Sequence, residues 1–144
     1  MAKYEPLRLL AEDADDLEVI SAAVQDAVAH VGDIEWDARG RRLTIALNRY
    51  CWEAPGVLLG ERVRAGLQFG SVLGVKGRNL RREPKEAVVE LLAVSFEPGE
   101  PPGGLIRLAF AGGGDLALTV ECIDAALADV SPPWLTPRTP AHEG

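Results

Sequence analysis

The chain of 144 residues is 47% apolar and 26% charged, the make-up of one ordinary globular domain with enough apolar residues for a single core. Its formal net charge of −7 works against unspecific attraction to nucleic acid or anionic membranes. No apolar run approaches the roughly 18 to 20 residues of a membrane-spanning helix, and no apolar segment of a secretory signal follows Met1-Ala2-Lys3-Tyr4-Glu5-Pro6.

Leu7 to Leu10 is a short apolar run that ends at the acidic cluster Glu12-Asp13-Ala14-Asp15-Asp16, a composition that caps a helix and complements its dipole. Asp15 and Glu18 have capping-box spacing, and Leu17, Ile20, Val24 and Val28 recur at helical intervals, which predicts a helix over 15–27. After His30-Val31-Gly32 the period changes to two. Ile34 and Trp36, a turn at Asp37-Ala38-Arg39-Gly40, and then Leu43, Ile45 and Leu47 predict a hairpin. Pro55-Gly56 marks a loop, and Val63, Ala65, Leu67 and Phe69 alternate with Arg62, Arg64 and Gln68 in a half-exposed strand. Gly70, Gly74 and Gly77 extend that strand with a bend.

Residues 78–85 are polar and predict a connecting loop, whereas 87–96 is apolar on both parities apart from Glu90 and predicts a central, well-covered strand. Ile106, Leu108 and Phe110 pair with Leu116, Leu118 and Val120 around Gly112-Gly113-Gly114-Asp115, whose glycines supply positive φ for a tight turn. A last helix is expected over 121–130, burying Cys122, Ile123, Ala126 and Leu127. The expected fold is therefore α+β: a bent antiparallel sheet or partly closed barrel of about six to seven strands, with one helix near the N-terminus and one at the C-terminus. A barrel resembling the pleckstrin-homology type is one concrete version. Residues 1–134 form the expected single domain, and the Pro-rich stretch 135–144 a loose tail.

The net charge conceals a split. Between Arg39 and Lys85 eleven Lys and Arg face three Glu, a net of +8 that leaves −15 for the remainder. Asn48-Arg49-Tyr50-Cys51-Trp52 is the densest cluster of large functional side chains, and arginine beside aromatics recognises anions, bases or protein surfaces. The alternative there is a buried Tyr50 or Trp52 with Arg49 paired to an acid. Arg62, Arg64, Lys76, Arg78, Arg81 and Arg82 complete the candidate binding set, either as one anion-holding surface or dispersed in pairs with carboxylates. His30 and His142 are the only histidines; His142 lies in the tail, and His30 fits the carbonyl end of the first helix. No nucleophile elbow, calcium loop or phosphate-cradling loop is present, so no catalytic residue, metal or cofactor is expected. Cys51 and Cys122 stand without metal-ligand spacing and read as reduced thiols in a cytoplasmic protein.

In order along the chain, Gln25-Asp26-Ala27, Val31-Gly32-Asp33-Ile34, Leu47-Asn48-Arg49-Tyr50, Leu91-Leu92-Ala93, Phe96-Glu97-Pro98-Gly99-Glu100, Phe110-Ala111-Gly112-Gly113-Gly114 and Val120-Glu121-Cys122-Ile123 together resemble a family of small bacterial proteins catalogued only as a domain of unknown function. The resemblance spans nearly everything but the tail. It implies a bacterial, single-domain, cytosolic protein and carries over no activity, ligand or catalytic residue. The function expected from the residues is a non-enzymatic binding or adaptor module that holds an acidic protein partner, with homo-oligomer formation as a further option. The alternative is nucleic-acid or anionic-ligand binding by the same arginines, and the third reading is an enzyme with His30 or several carboxylates in a pocket.

Overall fold

Period-two alternation governs nearly every described segment. The computed structural model describes residues 5–51, 61–132 and 134–135. In chain order the elements are β1 (Arg8–Ala11), α1 (Ala14–Ala23), β2 (Val28–His30), β3 (Ile34–Asp37), β4 (Arg42–Tyr50), β5 (Glu61–Phe69), β6 (Val72–Arg78), β7 (Val88–Pro98), β8 (Gly104–Phe110), β9 (Asp115–Val120), β10 (Ala125–Asp129) and β11 (Trp134–Leu135). Eleven strands form one antiparallel sheet in the open order β1-β10-β5-β4-β2-β7-β8-β9-β6, with β3 attached to β4 and β11 to β5. The expectation of six to seven strands between two helices is thus corrected to a mostly β architecture with one α-helix among the described residues.

The helix expected over 121–130 is absent; its place is taken by β10. Ala-rich sequence favours a helix in isolation, but Ala125, Leu127 and Asp129 share one parity and are drawn into the ladder between β1 and β5. Tertiary pairing outweighs local propensity here. The first helix is shorter than its periodicity suggests. Asp13, not Asp15, is the N-cap, its Oδ1 accepting the Asp16 N–H at 2.8 Å. Beyond Val24 the chain leaves the helix through Asp26 at φ 64°, whose N–H donates to the Leu91 carbonyl at 2.8 Å. Consequently His30 lies in β2 rather than at a helix end, with Nδ1 3.5 Å from the Asp33 carboxylate.

Core side chains come from both halves of the sheet. Leu43, Ile45, Leu47, Leu67 and Phe69 meet Ile106, Leu108 and Leu118, with Leu17 and Ile20 of α1 closing one side; all are at most 1% exposed. Each such burial contributes about 1.5–3 kcal/mol. β7 is central in the order but not well covered. Val88 is 63% and Leu92 39% exposed, and Leu92 lies at a register shift between Leu91 and Ala93.

The bent strand expected over 62–77 is divided into β5 and β6 at Gly70-Ser71. Gly70 donates to the Asp124 carbonyl at 2.7 Å, and a Cβ at Gly70 would collide with the Asp124 carboxylate. Across this corner β5 pairs with β4 and β10, while β6 pairs with β9 alone among the described strands. The glycine turn between β8 and β9 forms as expected, with Gly112 and Gly113 at φ 90° and 94°.

Candidate functional site

Eight of the nine candidate residues lie among the described residues, and they separate into four environments. Arg49 is on the core parity of β4 and is fully buried. Its Nε and Nη2 each lie 2.8 Å from an oxygen of Asp129 on β10, a bidentate pair with both side chains at 0% exposure. Asp129 Oδ2 also accepts the Leu7 N–H at 2.8 Å. Arg49 is therefore a structural link between β4, β10 and the segment before β1. Trp52 lies outside the described residues, as do the Pro55-Gly56 loop and residues 136–144.

Asn48, Arg62 and Arg64 meet on the opposite face of β4 and β5. Arg64 reaches Asn48 Oδ1 at 3.1 Å and Asp33 at 3.3 Å; Arg62 donates to the Asn48 carbonyl at 3.0 Å and sits 6.0 Å from the centre of the buried Tyr50 ring. Burial lowers the Arg62 pKa, opposed by the charges of Glu90 and Asp26. These two arginines are half-buried and engaged by the protein itself.

Arg78 belongs to a charge ladder on the outer face of the second half of the sheet. Glu97 on β7, Arg107 on β8, Asp115 on β9 and Arg78 on β6 alternate in sign, at separations of 3.4, 3.3 and 2.7 Å. Lys76 is exposed on the same face of β6, in register with Ala117.

The fourth environment is concave. A cleft of about 570 Å³ opens between β3 and β6, the neighbours of β4 and β9 respectively. Its floor is apolar, built from Ile34 and Trp36 of β3, Val75 of β6, and Leu43, Leu80 and Leu116. Arg81, Arg82 and Lys85 stand on its rim, all exposed, in the loop that follows β6. None of the three has an ion-pair partner among the described residues, while Glu35 and Glu83 share the lining. The loop is held against the far wall by the N–H of Gly32, which donates to the Lys85 carbonyl at 2.9 Å, and by Val31 donating to Ala87 at 2.8 Å.

Sequence reasoning singled out Arg81 and Arg82 but not Lys85, Trp36 or Leu80. Trp36 was legible only as one apolar member of a hairpin, and its 38% exposure arises because β6 diverges from β3 instead of covering it. The apex of that divergence is a single bond, Val72 N–H to the Arg41 carbonyl at 2.9 Å. Among the described residues no group of three or more His, Cys, Asp or Glu could hold a metal ion, and no helix is long and apolar enough to cross a membrane.

Comparison with known proteins identifies the chain at family level. It matches the model of DUF2948, described as a protein of unknown function, over residues 7–142, and it belongs to that family. No curated protein and no solved structure matches it.

Proposed function

We propose that this member of the DUF2948 family is a non-enzymatic, cytoplasmic binding module whose cleft between β3 and β6 holds an acidic segment of another protein. One observation carries the reading: Arg81, Arg82 and Lys85 stand exposed around an apolar floor without an ion-pair partner among the described residues, whereas Arg49, Arg64 and Arg78 each have an internal carboxylate. Exposed cations beside a half-exposed Trp and Leu80 suit a ligand that brings both carboxylates and apolar side chains. Glu35 and Glu83 in the same lining favour a peptide over a nucleic-acid backbone. A peptide can place apolar residues against these acids, but a polyphosphate chain brings charge at every step.

Fluorescence anisotropy of the full chain with a labelled eight-residue peptide alternating Glu and Val tests the reading. The expected result is saturable binding, lost on replacing Glu by Lys in the peptide and weakened at least about tenfold in an Arg81→Glu, Arg82→Glu variant. Binding of single-stranded or duplex oligonucleotides with a steep salt dependence, and none of the peptide, would overturn it in favour of nucleic acid.

A further inference from the structure

Past the irregularity between Val72 and Gly74, the strand register fixes which backbone groups of β6 face β9. The Phe110 N–H donates to the Gly114 carbonyl at 2.9 Å, and the β8–β9 register places Leu108 opposite Leu116 and Ile106 opposite Leu118. Those two β9 residues thus bond toward β8, and the alternate residues Asp115, Ala117 and Thr119 bond toward β6, opposite Arg78, Lys76 and Gly74. Val75 and Gly77 are the residues left over. Their N–H and C=O groups point away from β9 into the cleft, where no other described backbone group meets them. The same edge already has a bonded partner at its first residue, where Val72 donates to Arg41.

We infer that the acidic partner binds as an added β-strand along the β6 edge, bonding to the Val75 and Gly77 backbone. This rests on the cleft reading above and specifies the conformation and pattern of the ligand. Alternate side chains of an added strand fall on opposite faces. Those on the cleft side meet Trp36 and Leu80; those on the other side lie beside Lys76 and Arg78, with Arg81 and Arg82 at the end of the edge. The matching ligand is an extended segment that alternates apolar and acidic residues. β3 is the poorer template because it is four residues long and carries Glu35 and Asp37, which repel an acidic strand. β6 is seven residues long, and its outward charges are Lys76 and Arg78, the latter already paired with Asp115.

Gly77 offers a clean perturbation. A Cβ there would meet Leu116 at 3.6 Å and Leu80 at 4.0 Å, ordinary contact distances, and the residue has no positive φ. Proline at this position removes an N–H that faces the cleft and leaves the ladder to β9 intact, the one placement a strand tolerates. Alanine keeps the N–H. With the same Glu/Val peptide, Gly77→Pro is expected to weaken binding by about tenfold or more and Gly77→Ala by less than about twofold. Circular dichroism is the check that both variants keep the fold. Peptides N-methylated on alternate amides probe the unmodified protein: methylation on one parity is expected to cost about tenfold and on the other almost nothing.

Loss of binding in the Arg81→Glu, Arg82→Glu variant, with both N-methylated sets and Gly77→Pro binding as wild type, would overturn strand addition and leave the cleft reading standing. Absence of binding by any peptide would remove both. Self-association of the protein in sedimentation experiments, abolished by Gly77→Pro and unaffected by peptide, would make a second copy the occupant and overturn the acidic one.

Discussion

Arg49 and Arg82 are both arginines of the same basic stretch, yet one is sealed between two strands and the other stands in solvent. In the first half of the sheet β4, β5 and β10 pair along most of their length, and the cations there are held by Asp129, Asp33 and Asn48. In the second half β6 has one partner strand among the described residues, and the loop after it presents exposed cations that form no ion pair with a described residue. Charge in a sequence is therefore ambiguous until topology is known: ladders between strands turn arginines into structural ties, and the loop that follows the edge strand leaves its arginines exposed.

Stability measurements separate the two groups. Arg49→Ala is expected to cost about 3–5 kcal/mol in urea unfolding, because Asp129 keeps its buried charge and loses its guanidinium. The double variant Arg49→Met, Asp129→Leu is expected to recover most of that loss, and failure to do so would show that the pair contributes more than mutual neutralisation. Leu67→Ala, at the centre of the same half and 0% exposed, is expected to lose about 2–5 kcal/mol through cavity formation. Removing the helix cap with Asp13→Ala is expected to cost about 1 kcal/mol. The Arg81→Glu, Arg82→Glu variant is expected to stay within about 0.5 kcal/mol per substitution. A large destabilisation there would place these arginines among the structural group and erase the distinction.

Hairpins were the legible part of this fold. The β3–β4 and β8–β9 pairs follow from alternation and turn glycines within about a dozen residues, so sequence and structure agree there. What was not legible depends on partners far along the chain. Ala125-Ala126-Leu127-Ala128-Asp129 reads as helix until β1 and β5 are placed on either side of it. That Arg49 pairs with an acid is one of the two readings of its cluster, but which acid was not legible, because that partner lies 80 residues away in the segment expected to be helical. The cleft was illegible for a related reason. Trp36, Val75 and Arg81 come together only because β3 and β6 diverge from the Val72–Arg41 bond, a consequence of the corner at Gly70-Ser71.

The pairing of β1 with β10 sets a timetable for the chain as it is made. Arg8 lies opposite Ala128 and Ala11 opposite Ala125, so the earliest strand waits for one of the last. At about 5–20 residues per second of synthesis, that wait is on the order of ten seconds. Throughout it Leu9 and Ala11 lack their strand neighbour, α1 lacks part of its floor, and the guanidinium of Arg49 lacks Asp129. The local β3–β4 hairpin can form early, but the first half of the sheet closes only when the second half has already left the ribosome. Truncation before Asp129 therefore removes the partner of Arg49 and the strand between β1 and β5, and not merely a tail.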